Sequence, residues 1–428
     1  MATQLKPREV LHGPEIGDRI QENRVHGSLY TDEELYRTEL ERIWYKTWVY
    51  VGHESEVPNN NDYVMKSIGP QSVLLTRDKT GQIHLLQNRC PHRGNVVCQS
   101  ERGNTRMFSC PFHQWTFSNT GDLIGFAFPE GYRDNPDAAK SGLGLGKVPR
   151  VASYRGFIFG SFAEEGPSLE EHLGGAAEML DRLCLNGPEG EVELTAGFLQ
   201  HKVKSNWKFV VENETDGYHP AFVHSSIFGV ADSGIGSLYD AKSTALARDY
   251  GNGHTEMDLR PEFRKFDEPL RWFGTTADRL PDYVEKMNAA YGEEKARMIM
   301  IDGTPHAMIY PNLFIAEIQI FSIQPISVNE TIQHVTALQF KGAPDFNRRL
   351  RQQTMGSVGP AGFLLADDAT MYEGTQLGVE SKNPEWLFVG RGSQRERRDE
   401  DGYRVSHITD ETPTRGIWRH YQQVMEAN

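Results

Sequence analysis

The 428-residue, 48.4 kDa chain is long enough for two domains, and its 38% hydrophobic and 10% aromatic content fills a substantial core, which excludes global disorder. Its 45 Lys and Arg face 59 Asp and Glu, a net charge of −14 that argues against a nucleic-acid or anionic-membrane surface. Four cysteines, Cys90, Cys98, Cys110 and Cys184, are too few for a disulfide framework.

The first thirty residues read as irregular and show neither the apolar core of a signal peptide nor a twin-Arg pair. No apolar run approaches the length of a membrane span, so the expectation is a cytoplasmic chain that meets no membrane. Thr31-Asp32-Glu33-Glu34 then reads as a capping box, with Thr31 as N-cap and Glu34 at the third helical position. The helix that follows carries Leu35, Ile43 and Trp44 and runs towards Trp48.

From Trp48 to about Phe162 the texture changes to short β runs broken by turns. The predicted strands are Tyr63–Ile68, Ser72–Arg77, Ile83–Gln87, Arg106–Ser109 and Gly156–Phe162. Two loops at strand ends stand out: Cys90-Pro91-His92-Arg93-Gly94 and Cys110-Pro111-Phe112-His113-Gln114-Trp115, with seventeen residues between His92 and Cys110. Each offers one thiolate and one imidazole. In a Rieske [2Fe–2S] centre two Cys hold one iron and two His hold the other, so two such loops suit it. A structural zinc site also accepts two Cys and two His, but its usual Cys-Cys then His-His order differs from the alternation here. Cys98 reads as a buried thiol beside the cluster.

Glu164-Glu165-Gly166-Pro167-Ser168 reads as a linker, followed by a helix from Leu169 to about Leu185 and strand-like Glu191–Lys204. Polar stretches near 230–280, a helix near 282–299, and strands around Ala307–Ile323 and Thr331–Phe340 come next. Helices are predicted at Asp345–Met355, again after Ala361, and at Arg415–Met425. This second region is therefore α+β with an antiparallel sheet.

Its most informative segment runs from Asn206 to His224. His219 and His224, with carboxylates nearby, suit a two-His, one-carboxylate iron site that leaves positions open for oxygen and substrate. On a regular helix the two rings would point about 140° apart. Pro220 removes a backbone donor directly after His219, which predicts a break that brings them together. Asp216, three residues before His219, is placed to accept its ring N–H and fix the tautomer.

The chain resembles the catalytic α-subunit of a Rieske non-haem iron aromatic-ring-hydroxylating oxygenase over nearly its whole length. The motifs C-P-H-R-G, C-P-F-H-x-W, E-N-x-x-D-G-Y-H-x4-H and G-P-A-G-F-x-x-x-D-D occur in the family's order. The resemblance implies that Cys90, His92, Cys110 and His113 hold the [2Fe–2S] cluster. It also implies that His219, His224 and Asp368 hold a mononuclear Fe(II), with Asp367 as the alternative carboxylate. Gln114 departs from the pattern, since the family usually has Gly before that Trp. By the same resemblance Asp216 is the catalytic coupling residue and meets His113 of the partner subunit in a head-to-tail trimer.

The implied architecture is an N-terminal segment and helix (1–45) packing on the catalytic domain, an all-β Rieske domain (46–165) and an α+β catalytic domain (166–428) whose antiparallel sheet is flanked by helices. The implied activity is cis-dihydroxylation of an aromatic substrate, with O2 as co-substrate. Electrons would come from NADH through a separate flavin reductase or ferredoxin, because no dinucleotide fingerprint is present. The assembly would be a homotrimer or an α3β3 oligomer with a small β-subunit. The alternatives are a Rieske monooxygenase or demethylase on the same scaffold, or a pure Rieske electron carrier. Aromatic acids are the favoured substrates, with Arg260 and Arg415 as possible carboxylate partners against a competing surface ion-pair reading. Phe222, Phe228, Ile309, Leu313, Ile315, Phe321 and Phe363 are the candidate pocket-wall residues.

Overall fold

The computed structural model describes residues 16–133, 135, 137, 141–229 and 236–427. The reading of the chain's start as irregular fails from residue 16 onward. Ile20–Gln21 and Arg24–His26 form a small antiparallel sheet with Trp386–Phe388, and residues 1–15 lie outside the described part. The helix begins at Glu33, one residue later than expected. Asp32 caps it, accepting from the backbone N–H of Glu34 and Leu35 at 3.0 and 3.2 Å. Its continuation, Leu40–Trp44, widens to π geometry.

This N-terminal helix is clamped onto the later half of the chain. Glu39 pairs with Lys208 and also accepts from Trp207 Nε1 (2.8 Å) and Tyr421 Oη (2.6 Å). Trp44 packs edge-on against Trp207, and Tyr30 stacks on Phe209 at 3.9 Å. Four chain segments thus meet around one buried charge pair, and that meeting fixes the helix Trp207–Glu214 leading to the histidines.

The β-rich part holds three small antiparallel sheets. One has four strands in the order Ile83–Gln87, Gln71–Arg77, Asp62–Ile68, Arg102–Asn104. A second joins Met107–Ser109, Thr116–Ser118 and Leu123–Gly125, and a third joins Val49–His53, Phe157–Ser161 and Arg150–Tyr154. In Met107–Ser109 and Thr116–Ser118 only the middle residue is buried, as the two-residue period of a pleated strand requires, whereas Val49–His53 and Phe157–Ser161 are buried throughout.

The rest of the chain is built on a nine-stranded antiparallel sheet. Its central strands are Glu330–Ala337, Gln319–Ser327, Leu313–Ala316, His306–Ile309 and His254–Asp258. Helices Trp207–Glu214, Pro344–Val358, Leu364–Glu380 and Thr412–Glu426 flank it. Two helices expected to be continuous are broken at glycines. Leu169–Leu173 stops at Gly174 before Ala177–Leu185, and Pro281–Tyr291 stops at Gly292 (φ +81°) before Glu293–Asp302. The segment Glu191–Lys204 is likewise two strands, Val192–Glu193 and Leu199–Val203. None of the described helices is long and apolar enough to cross a membrane.

Candidate active site

The two cysteine loops are built alike. In each, the cysteine N–H donates to the carbonyl five residues on, Asn95 or Trp115, and its carbonyl accepts from the residue four on, Gly94 or Gln114. His92 and His113 come within 4.6 Å between ring centroids, and Trp115 stacks flat on His92 at 4.9 Å. His92 Nδ1 is buried without a hydrogen-bond partner, and the buried Cys90 and Cys110 form no disulfide. Cys98 lies in the same buried cluster.

The thiols lean in opposite directions. Burial holds Cys90 up. Burial also opposes ionisation of Cys110, but the backbone N–H of Phe112 and the neighbouring Cys90 side chain outweigh it and bring it down. Asn95 Nδ2 approaches Cys110 Sγ at 3.9 Å. Two thiols and two imidazoles facing one another, with a ring nitrogen left unbonded, fit a Rieske cluster.

The second site forms where helix Trp207–Glu214 ends. No helix runs through His219 and His224. A single turn, Pro220–Val223, begins at the proline, and the two histidines flank it. Gly217 is needed here because a Cβ would collide with the Ile408 carbonyl. The third side chain arrives from helix Leu364–Glu380, where Asp368 is buried. One ligand atom each from His219, His224 and Asp368 lies within 4.8 Å of the others.

Asp368 Oδ1 sits 3.6 Å from His219 Nε2 and 3.2 Å from His224 Nε2, yet makes no hydrogen bond among the described residues. Burial opposes a charge on His224, but Asp368 and then Asp367 outweigh it and raise its pKa. Two imidazoles and a carboxylate converging without hydrogen bonds fit one divalent iron with open positions. Asp367 stands outside, 3.7 Å from His224 Nδ1. Asp216 Oδ2 lies 3.4 Å from His219 Nδ1 without closing a hydrogen bond, while Asp216 Oδ1 accepts from Tyr218 N at 2.6 Å.

The triad opens onto a cavity of about 360 Å³. Phe228, Leu238, Phe263, Trp272, Phe314 and Phe321 are among its apolar walls. Of the expected wall residues Phe228 and Phe321 are present. Ile309, Leu313 and Ile315 point into the sheet's core, while Phe222 and Phe363 are exposed. Neither expected carboxylate partner lines the cavity. Arg260 pairs with Asp258 at 2.7 Å, and the buried Arg415 bonds Glu396 and the Val389 and Arg391 carbonyls. The Arg415 pair is interior, whereas Arg260 is only partly buried.

Sequence reasoning missed Glu214, His306 and Glu317, which also line the cavity. Glu214 accepts from Tyr372 Oη (3.1 Å) and Gln333 Nε2 (3.0 Å). Burial and the Asp368 charge push its carboxyl well above the usual range. No local spacing links these residues; only Glu214, two residues before Asp216, sits near a readable motif.

A Rieske-type donor set upstream of a two-histidine, one-carboxylate cluster is the arrangement of a Rieske non-haem iron oxygenase. Residues 47–135 match the Rieske [2Fe-2S] domain and residues 189–427 the ring hydroxylating alpha subunit catalytic domain. The chain is 31% identical to the 2-halobenzoate 1,2-dioxygenase large subunit of Burkholderia cepacia, covering 88% of this chain and 83% of that one. It is 32% identical to the large oxygenase component of salicylate 5-hydroxylase from Ralstonia sp., covering 94% of each. A crystal structure of naphthalene 1,2-dioxygenase with indole in its active site superposes with a TM-score of 0.79 at 26% identity, over 95% of this chain and 92% of that one.

The chain belongs to the alpha subunits of the ring-hydroxylating Rieske oxygenases. Its cofactors are accordingly a [2Fe–2S] cluster and a mononuclear iron, with O2 as co-substrate. Alpha subunits of this family form oligomers and work with electron-transfer partners.

Proposed function

We propose that this alpha subunit dihydroxylates a substituted aromatic ring, with Cys90, His92, Cys110 and His113 holding the cluster and His219, His224 and Asp368 holding the iron. When bound, the cluster supplies single electrons and the iron supplies the centre at which O2 is activated. The observation that carries the reading is the opening of the unbonded His219–His224–Asp368 cluster onto an apolar cavity of ring size. The chain's own part is to seat the ring, keep water away from it with aromatic walls, and hold the His219 imidazole in one orientation through Asp216.

In this reading residues 46–165 carry electrons, 166–428 carry the oxygen chemistry, and 1–45 brace the latter. Electrons arrive from NADH through a ferredoxin or flavin reductase, and the protein works in the cytoplasm. Assembly as a head-to-tail homotrimer, or as α3β3 with a small β-subunit, is supported by two exposed apolar patches. Phe112 in the second cysteine loop and Met107 just before it are exposed, as are Tyr218 and Phe222 on either side of His219 and Phe363 ahead of Asp368. Such packing brings the partner's His113 towards Asp216.

The test is iron and acid-labile sulfide on anaerobically purified protein, with EPR of the reduced form. About three irons and two sulfides per chain with a Rieske signal are expected. Two irons and two sulfides, unchanged after Fe(II) is added, would leave only an electron carrier. The salicylate 5-hydroxylase relative keeps monooxygenation as the second reading. Labelled O2 separates them: a diol product carries two labelled oxygens, a phenol one.

A further inference from the structure

The cavity has a charged wall that the iron site does not use. Leu313–Ala316 and Gln319–Ser327 are joined by a two-residue hairpin turn, Glu317-Ile318. Glu317 has φ +41°, a conformation such turns normally give to Gly or Asn. A glutamate held there against its backbone preference indicates that its side chain has a use. Glu317 Oε1 meets His306 Nδ1 at 2.8 Å, and His306 Nε2 donates to the Glu214 carbonyl at 3.2 Å. Both ring nitrogens therefore face acceptors, and the imidazolium form donates to both at once. Burial opposes that charge, but Glu317 outweighs it and holds the His306 pKa up.

Glu317 Oε2 is left over. It has no hydrogen bond among the described residues, and the side chain keeps 23% of its surface accessible at the cavity. Two residues on, Gln319 also lines the cavity, and its buried Oε1 has no partner either. Arg271 and His306, which line the cavity, both have partners. His306 has spent both N–H groups, and Arg271 is partnered, with its guanidinium 5.3 Å above Phe266. Glu317 Oε2 and Gln319 Oε1 are therefore two acceptors without a hydrogen bond among the described residues at the polar end of the pocket, where the Glu317 charge also reaches the Tyr239 hydroxyl. A bound carboxylate would meet Glu317 charge to charge, whereas an N–H or O–H would fill Oε2.

We propose that Glu317, supported by His306, selects aromatic substrates that carry an N–H or O–H donor, such as arylamines, phenols or arylureas, over aromatic carboxylates. The proposal rests on the oxygenase reading of the cavity. It sets this pocket apart from the aromatic acid in the name of the halobenzoate relative.

The test is calorimetric binding of aniline, phenol, toluene and benzoate to the holoenzyme and to Glu317→Gln. For the wild type, aniline and phenol should bind at least about tenfold more tightly than benzoate, a charge-assisted hydrogen bond against a like-charge contact. In Glu317→Gln that preference should shrink about tenfold while toluene affinity stays within about twofold. Wild-type binding of benzoate more tightly than phenol overturns the proposal whatever the variant does. An unchanged preference in a variant that still binds toluene overturns it as well. The order found without any oxidation of the bound ligands supports this selectivity and counts against the oxygenase reading. Oxidation of benzoate in preference to the donors does the reverse.

Discussion

Gln114 and Gly94 hold the same place in the two cysteine loops. Each is the fourth residue after its cysteine and returns its N–H to that cysteine's carbonyl, at 2.9 and 2.8 Å, and each has a left-handed φ, +57° and +74°. Glycine adopts this conformation freely; a residue with a Cβ is held there at a cost of about 1 kcal/mol. Gln114→Gly should therefore stabilise the loop by about 0.5–1 kcal/mol. The expected result is a higher denaturant midpoint for loss of the cluster's visible absorbance, with sulfide content unchanged.

Asp367 and Asp368 are neighbours in sequence with different surroundings. Asp368 is buried between two imidazole nitrogens, while the Asp367 side chain is 37% exposed and reaches His224 only at 3.7 Å. Asp368→Ala should lower iron from about three to about two per chain with the Rieske EPR signal intact. Asp367→Ala should keep all three. Metal analysis of the two variants side by side checks the assignment.

The contrast also shows what a linear sequence carries. Proposed ligands that lie within one turn or loop, such as Cys90 with His92 or His219 with His224, leave a spacing that can be read, and Pro220 announces the interruption between the histidines. The acceptor wall leaves none. Glu214 closes a helix, His306 opens a strand and Glu317 tips a hairpin, and only the folded sheet brings them together. For the same reason Ile309, Leu313 and Ile315 could not be told from wall residues. In Leu313–Ala316 every position is apolar and buried, so the period that separates inside from outside is lost. For Arg260 and Arg415 the ion-pair reading prevails over the substrate one, since Asp258 and Glu396, distant in sequence from any pocket residue the motifs mark, take up their charges.

Asp216 stands at the rim of the iron site, with its side chain 27% exposed and 3.4 Å from His219. Asp216→Asn keeps the shape and removes the charge facing His219 Nδ1, which in the proposed reading orients that ring. Substrate-dependent NADH oxidation through the reductase should fall by about 10- to 100-fold, while iron content and the Rieske signal stay near wild type. Coupled turnover near the wild-type rate would remove Asp216 from the mechanism.

Glu39 compensates Lys208 at a point with almost no solvent access, their side chains being 0% and 3% exposed. Burial already pulls the Lys208 pKa down, against the pull of Glu39. Glu39→Gln leaves an uncompensated buried ammonium and also weakens the acceptor for Trp207 and Tyr421. A loss of about 3–5 kcal/mol is expected, read as a lower urea midpoint. Because this cluster anchors the helix leading to His219, mononuclear iron should be lost at lower denaturant than in the wild type.

Three buried histidines make stability depend on pH in the mildly acidic range. His254 accepts from Tyr310 N at Nδ1 (3.0 Å) and donates from Nε2 to the His172 carbonyl (2.8 Å), so its neutral form is fully bonded and a second proton has no acceptor. Burial pushes His254 down to about 4, and burial together with His254 pushes His420 to about 3; His172 is also lowered, by burial first. In the unfolded chain these rings titrate near about 6.5. Below that pH the unfolded state takes up protons that the folded state refuses, so stability falls as pH drops from about 6.5 towards 4, by at most about 1.4 kcal/mol per pH unit for each ring. Gln at position 254 can donate to one partner and accept from the other without titrating. Between pH 7.5 and 5.5 the wild type should therefore lose about 1.4 kcal/mol more than His254→Gln in urea unfolding, and parallel losses in the two proteins would show that His254 takes up its proton in the folded state as well.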